Sequence, residues 1–176
     1  MSNKSALLII DAQANMFAED FAVYRGEEIL QTIQRLIEKA RKTETAVIFV
    51  RNNGPTGEPD EPHTPGWEIH PTLTLLPDDI VLDKNTSDTF ASTALQQILE
   101  EKEFSSLIIC GMQTEMCVQS TTHRALELNY QVTIVADGHT TFDFPDEPPV
   151  AQIITQFHAS FANKASIQPA SNIVFT

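Results

Sequence analysis

Three residues of this 176-residue chain have side chains that together could perform nucleophilic chemistry: Asp11, Lys84 and Cys117. A carboxylate can accept the proton of a thiol, an ammonium can stabilise both anions, and a thiolate can attack a carbonyl carbon. Each residue directly follows or closely trails a short apolar run. Singly, each also has a structural interpretation: Asp11 as a cap, Lys84 as a surface charge, and Cys117 as a small buried hydrophobe. Their occurrence in order at three strand ends favours the chemical interpretation.

Cys117 stands at the end of the stretch Gly-Met-Gln-Thr-Glu-Met-Cys, which begins at Gly111 after an apolar run. This pattern is typical of a strand that ends, turns within a few residues and opens a helix at the cysteine. A helix N-terminus offers unpaired N–H groups and a partial positive charge of about half a unit, which favour a thiolate and can hold an oxyanion. The sequence therefore predicts a low pKa for Cys117 and faster alkylation there than at Cys110.

Short apolar runs alternate with helical periodicities along the whole chain. The predicted strands are Ala6–Ile10, Ala46–Val50, Ile80–Leu82, Leu107–Cys110, Val132–Ala136 and Ala165–Gln168, with Ile173–Phe175 as a further candidate. The predicted helices are Glu27–Lys42, Thr93–Lys102, Glu115–Leu128 and Val150–Ala162. Continuously apolar strands indicate a sheet covered on both faces. The pattern predicts one α/β domain over residues 1–176, with a doubly wound, Rossmann-like, six-stranded parallel sheet and helices on both faces.

The segment Arg51–Pro77 interrupts this alternation because it is long and rich in Pro, Gly and acidic residues. A connection of this length in a compact domain is usually functional or disordered. Its apolar and aromatic content, Trp67, Ile69, His70 and Leu73, favours a folded flap.

Composition excludes several classes of partner. The formal net charge of −13 argues against nucleic acid and anionic membrane surfaces. Of the two cysteines, Cys110 lies inside a predicted strand, so we expect no disulfide framework and a cytoplasmic location. The first apolar run has six residues, too short for a signal peptide or a membrane span.

Several blocks of the chain resemble the isochorismatase-like cysteine hydrolase superfamily, which includes nicotinamidases and N-carbamoylsarcosine amidases. The blocks are Asp11-Ala12-Gln13, the segment 84–90, Gly111 to Val118 with Thr121 and Ala125, the segment 129–132, and Ala136-Asp137-Gly138. The resemblance spans nearly the whole chain. It implies a catalytic triad of Asp11, Lys84 and Cys117, and a cis peptide bond at Met112–Gln113. The backbone N–H groups of Gln113 and Cys117 would form the oxyanion hole.

The resemblance also implies that the protein is a hydrolase of a small amide or ureido compound, with no cofactor, that forms a dimer or tetramer. Isochorismatases proper lack the cysteine at this position, so Cys117 favours cleavage of a C–N bond through a thioester. Nicotinamidases carry a metal motif, Asp-x-His, after the second strand, where this chain has Arg51-Asn52-Asn53. That metal site is therefore expected to be absent.

Residues near the presumed rim of the site are candidates for substrate contacts or metal ligands. The candidate substrate contacts are Gln13, Phe17, Trp67 and Phe142, although an aromatic residue in such a position more often belongs to the core; Asp137 and His139 could also reach the site. The flap residues Asp60, His63 and His70 match no compact metal motif. Two alternatives stay open: metal-assisted nicotinamide or ether hydrolysis on the same fold, and a non-catalytic protein that binds a ligand or senses oxidants through Cys117.

Overall fold

The computed structural model describes residues 4–176 as a six-stranded parallel sheet with helices on both faces. The strands of this sheet are β1 Ser5–Ile10, β4 Ala46–Asn52, β5 Ile80–Lys84, β6 Ser106–Met112, β7 Gln131–Thr140 and β8 Ser166–Gln168. The helices are α1 Gly26–Lys42, α2 Thr89–Ser92, α3 Leu95–Glu101, α4 Gln119–Glu127 and α5 Val150–Phe161. The doubly wound α/β fold predicted from the sequence is confirmed.

In the sheet order β5-β4-β1-β6-β7-β8, the direction in which successive strands are added reverses between β1 and β6. The chain winds outward from β1 through β4 to β5, then crosses back to β6 and winds the other way. In open α/β sheets, ligands bind beyond the carboxyl ends of the strands at such a switch point. The segments that follow β1 and β6 carry Asp11 and Cys117, so both residues lie at this crevice.

The apolar core has two halves, one on each face of the sheet. Along β1, Leu7 and Ile9 pack on the face covered by α1, while Leu8 and Ile10 pack on the face covered by α3, α4 and α5. All four side chains are fully buried, which explains why the strand is continuously apolar. The candidate strand Ile173–Phe175 does not join the sheet: Ile173 and Phe175 pack against the α1 face as an irregular tail.

Two short elements follow β1 before α1 begins. A 3-10 turn, Ala14–Met16, leads into a small antiparallel hairpin formed by β2, Phe17–Ala18, and β3, Phe21–Ala22. No helix in residues 4–176 has the length and apolar character needed to cross a membrane.

The long connection between β4 and β5 folds as the predicted flap. It pairs with the chain just beyond β1, through a bridge between Gln13 and Ile69 and a hydrogen bond from the amide of Ala14 to the carbonyl of Glu68. Trp67, like Ile69, is almost completely buried. The flap is therefore part of the packed domain and borders the carboxyl edge of the sheet.

Candidate active site

The structure brings Asp11, Lys84 and Cys117 into direct contact. Lys84 Nζ lies 2.9 Å from Asp11 Oδ2 and donates to Cys117 Sγ at 3.2 Å. Its third N–H donates to Asn52 Oδ1 at 3.0 Å. An ammonium has three donors, and here each meets one acceptor. The fully buried Lys84 is therefore held in a fixed position between the acid and the thiol.

Lys84 reaches the site from an unexpected direction, since β5 is the edge strand of the sheet and β4 lies between β5 and β1. The side chain passes the end of β4 and places its ammonium beside Asp11. The side-chain amide oxygen of Asn52, the last residue of β4, accepts a hydrogen bond from this ammonium. The sequence analysis noted Asn52 only as part of a missing metal motif. Its position two residues beyond the apolar run Ala46–Val50, at the carboxyl end of the strand, was the signal that could have identified it.

Asp11 adopts a left-handed backbone conformation, with φ of 50°. Aspartate is one of the few non-glycine residues that tolerate this region, which lets the chain turn sharply at the end of β1. On the neighbouring strand Gly111 has φ of 122°, and a Cβ there would lie 2.0 Å from the carbonyl oxygen of Ile10. Only glycine allows β6 to pass this close to β1, and this close approach sets the separation of Asp11 and the cysteine turn.

Cys117 lies in a π-helical turn, Thr114–Val118, that leads directly into α4. The amides of Met116 and Val118 both donate to the carbonyl of Gln113, at 3.1 and 3.2 Å. The peptide bond between Met112 and Gln113 is cis. The turn keeps the thiol at the start of a helix, as the sequence predicts. The role of the Gln113 and Cys117 amides as oxyanion donors stays a prediction.

The pKa of the Cys117 thiol is raised in the structure, whereas the sequence predicts a lowered one. Burial, followed by the negative charge of Asp11, raises the pKa of the Cys117 thiol to about 12, although the Lys84 ammonium opposes this. Burial also raises the pKa of Asp11 against the opposing influence of Lys84. Burial alone would lower the pKa of Lys84, but Asp11 and Cys117 reverse the sign and raise it. The resting site is therefore a thiol beside an ammonium–carboxylate pair, and the thiol needs a base.

A cavity of about 380 Å³ opens above Cys117. Its wall includes Asp11, Asn15, Met16, Phe21, Asn52, Glu58, Asp60, Gln113, Met116 and Phe142. Of the four predicted substrate contacts, Phe142 lines this cavity. Met16, Phe21 and Met116 are further apolar wall residues that the sequence analysis did not identify.

Gln13, Phe17 and Trp67 are not among the residues that line this cavity. The buried amide of Gln13 donates to the carbonyls of Asn52 and Trp67, at 3.0 and 2.9 Å, and accepts from the amide of Asn52 at 2.7 Å. Gln13 therefore joins β4 to the flap. It also fixes the end of β4, where the Asn52 side chain accepts from Lys84. These hydrogen bonds engage the Gln13 side chain away from the cavity.

The two aromatic residues have packing roles of their own. Phe17 packs edge-on against His70, with ring centroids 5.0 Å apart. Trp67 is covered by the Arg51 guanidinium at 3.5 Å and donates from Nε1 to Asn53. Both side chains therefore pack against or within the flap and do not line the cavity.

The residues considered as metal ligands do not come together. Asp60 lines the cavity, while the rings of His63 and His70 pack on Trp67 and Phe17 respectively. Across residues 4–176 no three His, Cys, Asp or Glu side chains are grouped so that they could hold a metal ion.

Asp137 and His139 lie within the longer β7 and face away from the cavity. Asp137 accepts from the amide of Ala170. His139 is buried between Thr114, on the nucleophile turn, and His158, with both hydrogen bonds at 2.9 Å. Burial lowers the pKa of His139 to about 3, so this imidazole stays neutral and supports the turn.

Comparison with known proteins agrees with this fold. The chain matches the family model of the isochorismatase domain over residues 5–166, and it belongs to that family. It is 33% identical, over 96% of its length, to a streptothricin hydrolase of Streptomyces noursei, and it spans 61% of that relative. An isochorismatase of Pseudomonas putida KT2440 superposes with a TM-score of 0.90 at 31% identity, covering 98% of this chain and 91% of that one.

The fold also matches the N-carbamoylsarcosine amidase of Thermoplasma acidophilum, with a TM-score of 0.81. At 20% identity, over 97% of this chain and 98% of that one, this likeness concerns the fold alone. The family predicted from the sequence is confirmed.

Proposed function

We propose that this protein is a metal-independent cysteine hydrolase that cleaves the C–N bond of a small amide or ureido compound. One observation carries the proposal: the buried Lys84 ammonium touches both the Asp11 carboxylate and the Cys117 sulfur, and Asp11 and Cys117 line a cavity of small-molecule size. A base, a cation and a nucleophile in contact at a switch point match the requirements of nucleophilic catalysis.

The first half of the reaction transfers the acyl group to sulfur. Asp11 takes the proton of the Cys117 thiol while the sulfur forms a bond to the amide carbonyl carbon. The N–H groups of Gln113 and Cys117 stabilise the oxyanion of the tetrahedral intermediate. Asp11 then returns the proton to the leaving nitrogen as the C–N bond breaks, which leaves a thioester on Cys117 and releases ammonia or an amine.

The second half hydrolyses the thioester. Asp11, again a carboxylate, takes a proton from a water molecule that attacks the thioester carbonyl. Collapse of this second intermediate breaks the C–S bond, and the proton returns to the Cys117 sulfur as the acid product leaves. Lys84 moves no proton in either half: its charge stabilises Asp11 and the sulfur as negative charge moves between them.

The proposed independence from metals is supported by Asn52, which stands where the metal motif of nicotinamidases is expected. The side chain of Asn52 is fully engaged. Its Oδ1 accepts from Lys84, and its Nδ2 donates to Asp60 Oδ2 at 2.7 Å. Asn52 therefore serves the triad. We further propose that the substrate is a free small molecule and that the protein forms homo-oligomers, which light scattering on the purified chain would measure.

The test is release of ammonia or amine from a panel of small amides and ureido compounds by four preparations of the protein. Wild type is compared with Cys117→Ala, with Cys110→Ala as the matched control, and with chelator-treated wild type. Cys110 is a buried strand residue away from the cavity, so its loss should leave turnover in place. The proposal expects turnover to disappear in Cys117→Ala alone.

A second readout follows the thioester directly. Acid quench followed by intact-mass analysis should show the acyl group on Cys117 in wild type and none in Cys117→Ala. Turnover that survives in Cys117→Ala, or that chelation abolishes, would contradict the proposed mechanism.

A further inference from the structure

The cavity above Cys117 has two walls of different chemistry. On one side, the rings of Phe21 and Phe142 stack with centroids 4.5 Å apart and an interplanar angle of 15°, and Met16 and Met116 extend this apolar surface. On the other side, the flap contributes the carboxylates of Glu58 and Asp60. The thiol lies between the two walls.

The topology of the sheet fixes which side each wall occupies. Asp60 is hydrogen-bonded to Asn52 at the end of β4, and Phe142 follows the end of β7. Strands β4 and β7 lie on opposite sides of the β1–β6 pair. A molecule whose carbonyl is at Cys117 therefore has carboxylates on one side and aromatic rings on the other.

The carboxylate of Asp60 is held in place by the surrounding structure. Its Oδ2 accepts from Asn52 Nδ2 at 2.7 Å, and its backbone carbonyl accepts from the amide of Gly54 at 2.9 Å. A Cβ at Gly54 would lie 1.9 Å from Asp60 Oδ1, so a glycine is needed to admit this carboxylate. The negative charge of Asp60 contributes to the raised pKa of Asp11, which shows that its field reaches the reacting groups.

The charges of the cavity do not balance. Lys84 neutralises Asp11 from beneath, but no Lys or Arg is among the residues of the described chain that line the wall. Glu58 and Asp60 make no ion pair within residues 4–176. The cavity thus carries two uncompensated carboxylates, in a protein whose formal net charge is −13. A cleft lined by one sign of charge raises the local concentration of ions of the opposite sign.

Two buried acceptors of the wall lack a donor within the described residues. Asp11 Oδ1 and Asn15 Oδ1 are both buried without a hydrogen-bond partner. Asp11 as a residue is 1% exposed. Buried acceptors without donors are costly, so they favour a ligand that brings N–H groups.

Resting on the proposed function, we infer that the substrate is a small amide that carries a positive charge, an ammonium or a guanidinium. Glu58 and Asp60 hold the charged end on the flap side, and the stacked rings of Phe21 and Phe142 receive an apolar or planar part of the molecule. The same carboxylates repel anions, so amides that bear a carboxylate are rejected. The cavity of about 380 Å³ fits a ligand of this size.

The test compares amides that differ in charge at one position. The aromatic set is 4-(aminomethyl)benzamide, 4-methylbenzamide and 4-carbamoylbenzoate; the aliphatic set is 5-aminopentanamide, hexanamide and 4-carbamoylbutanoate. In each set we expect kcat/KM to be about tenfold higher for the cation than for the neutral amide, and about tenfold lower again for the anion.

Variants assign any charge preference to the flap wall. Glu58→Gln should reduce the ratio of kcat/KM for cation over neutral amide about threefold, because Asp60 keeps the other half of the wall charge. Glu58→Lys, which brings the wall to zero net charge, should abolish the preference for cation over anion. Asp20→Asn is the matched control, because it removes one exposed negative charge near Phe21 without touching the cavity wall. It should leave the ratio unchanged.

A second assay measures charge selection without amide turnover. Cys117 is labelled with methanethiosulfonates that carry an aminoethyl, a methyl or a sulfonatoethyl group, and each rate is divided by the rate with mercaptoethanol. Cys117→Ala identifies the labelled site. We expect the order cation, neutral, anion in wild type, and the loss of this order in Glu58→Lys.

The outcomes separate the two proposals. Amide turnover that depends on Cys117 but shows no preference for cations overturns the inference and leaves the proposed function standing. Cation-selective labelling without turnover of any amide supports charge selection and argues against amide hydrolysis. Equal labelling by all three reagents overturns the inference whether or not any amide is hydrolysed.

Discussion

Replacement of Lys84 by methionine tests whether the buried triad behaves as one electrostatic unit. Lys84→Met keeps most of the apolar stem and removes the ammonium, so that the Asp11 carboxylate stays buried without its partner. At the observed separation of 2.9 Å, the direct Coulomb attraction is about 6 kcal/mol with an effective dielectric constant of about 20. Much of this is offset by the desolvation of both ions, and breaking a buried pair typically costs about 3–5 kcal/mol.

The assay is a double-mutant cycle read by urea unfolding. Asp11→Asn is the partner substitution, because asparagine preserves the shape and tolerates the left-handed backbone found at this position. Each single variant should lose about 3–5 kcal/mol of unfolding free energy, and Asp11→Asn/Lys84→Met should lose at least about 2 kcal/mol less than the sum. Losses that add to within about 0.5 kcal/mol would show that the two groups do not interact, and would refute this reasoning.

The pH dependence of Lys84→Met provides an internal check. Without the ammonium, the folded-state pKa of Asp11 rises further above its unfolded value, near pH 4. A group with a raised folded pKa binds its proton more tightly in the folded state, so stability falls as the pH rises from the unfolded pKa through the folded one. The cost of Lys84→Met should therefore be smaller at about pH 5 than at about pH 8. In the double variant, which has no carboxyl at position 11, this pH dependence should be absent.

Three further predictions concern the thiol, the flap and the brace behind the triad. Because the pKa of Cys117 is raised to about 12, its alkylation by iodoacetamide should climb steadily between about pH 7 and pH 10, and a plateau below about pH 8 would contradict this. Asp60→Asn removes a charge that raises the pKa of Asp11, so the acid limb of the kcat/KM profile should move to lower pH, and an upward shift would be inconsistent with the site. Gln13→Leu breaks three hydrogen bonds to the main chain of Asn52 and Trp67. It should lower the unfolding free energy by about 2–4 kcal/mol, and a loss below about 1 kcal/mol would show that the brace is dispensable.

The local pattern of the sequence determined which elements form and which residues are candidates for the chemistry. Short and mostly apolar runs predicted the six strands of the main sheet, because strands covered on both faces need no polar alternation. Asp11, Lys84 and Cys117 were identified by residue type and by position at strand ends. Ile173–Phe175 was only a candidate for a further strand, since an apolar run that packs as an irregular tail has the same composition as a short strand.

Only the tertiary structure decided how these residues act together. The sheet order places β5 at the edge, so that the Lys84 side chain extends past Asn52 to reach Asp11. The spacing of these residues in the sequence does not predict this contact. Burial reversed the expected pKa of Cys117, because desolvation and a neighbouring carboxylate outweigh the favourable charge of Lys84. Residues far apart in the chain, Glu58 on the flap and Phe142 beyond β7, became the two walls of one cavity. Residue type fixes what a side chain can do, whereas distance, solvent exclusion and neighbouring charge, which exist only in the folded chain, decide what it does.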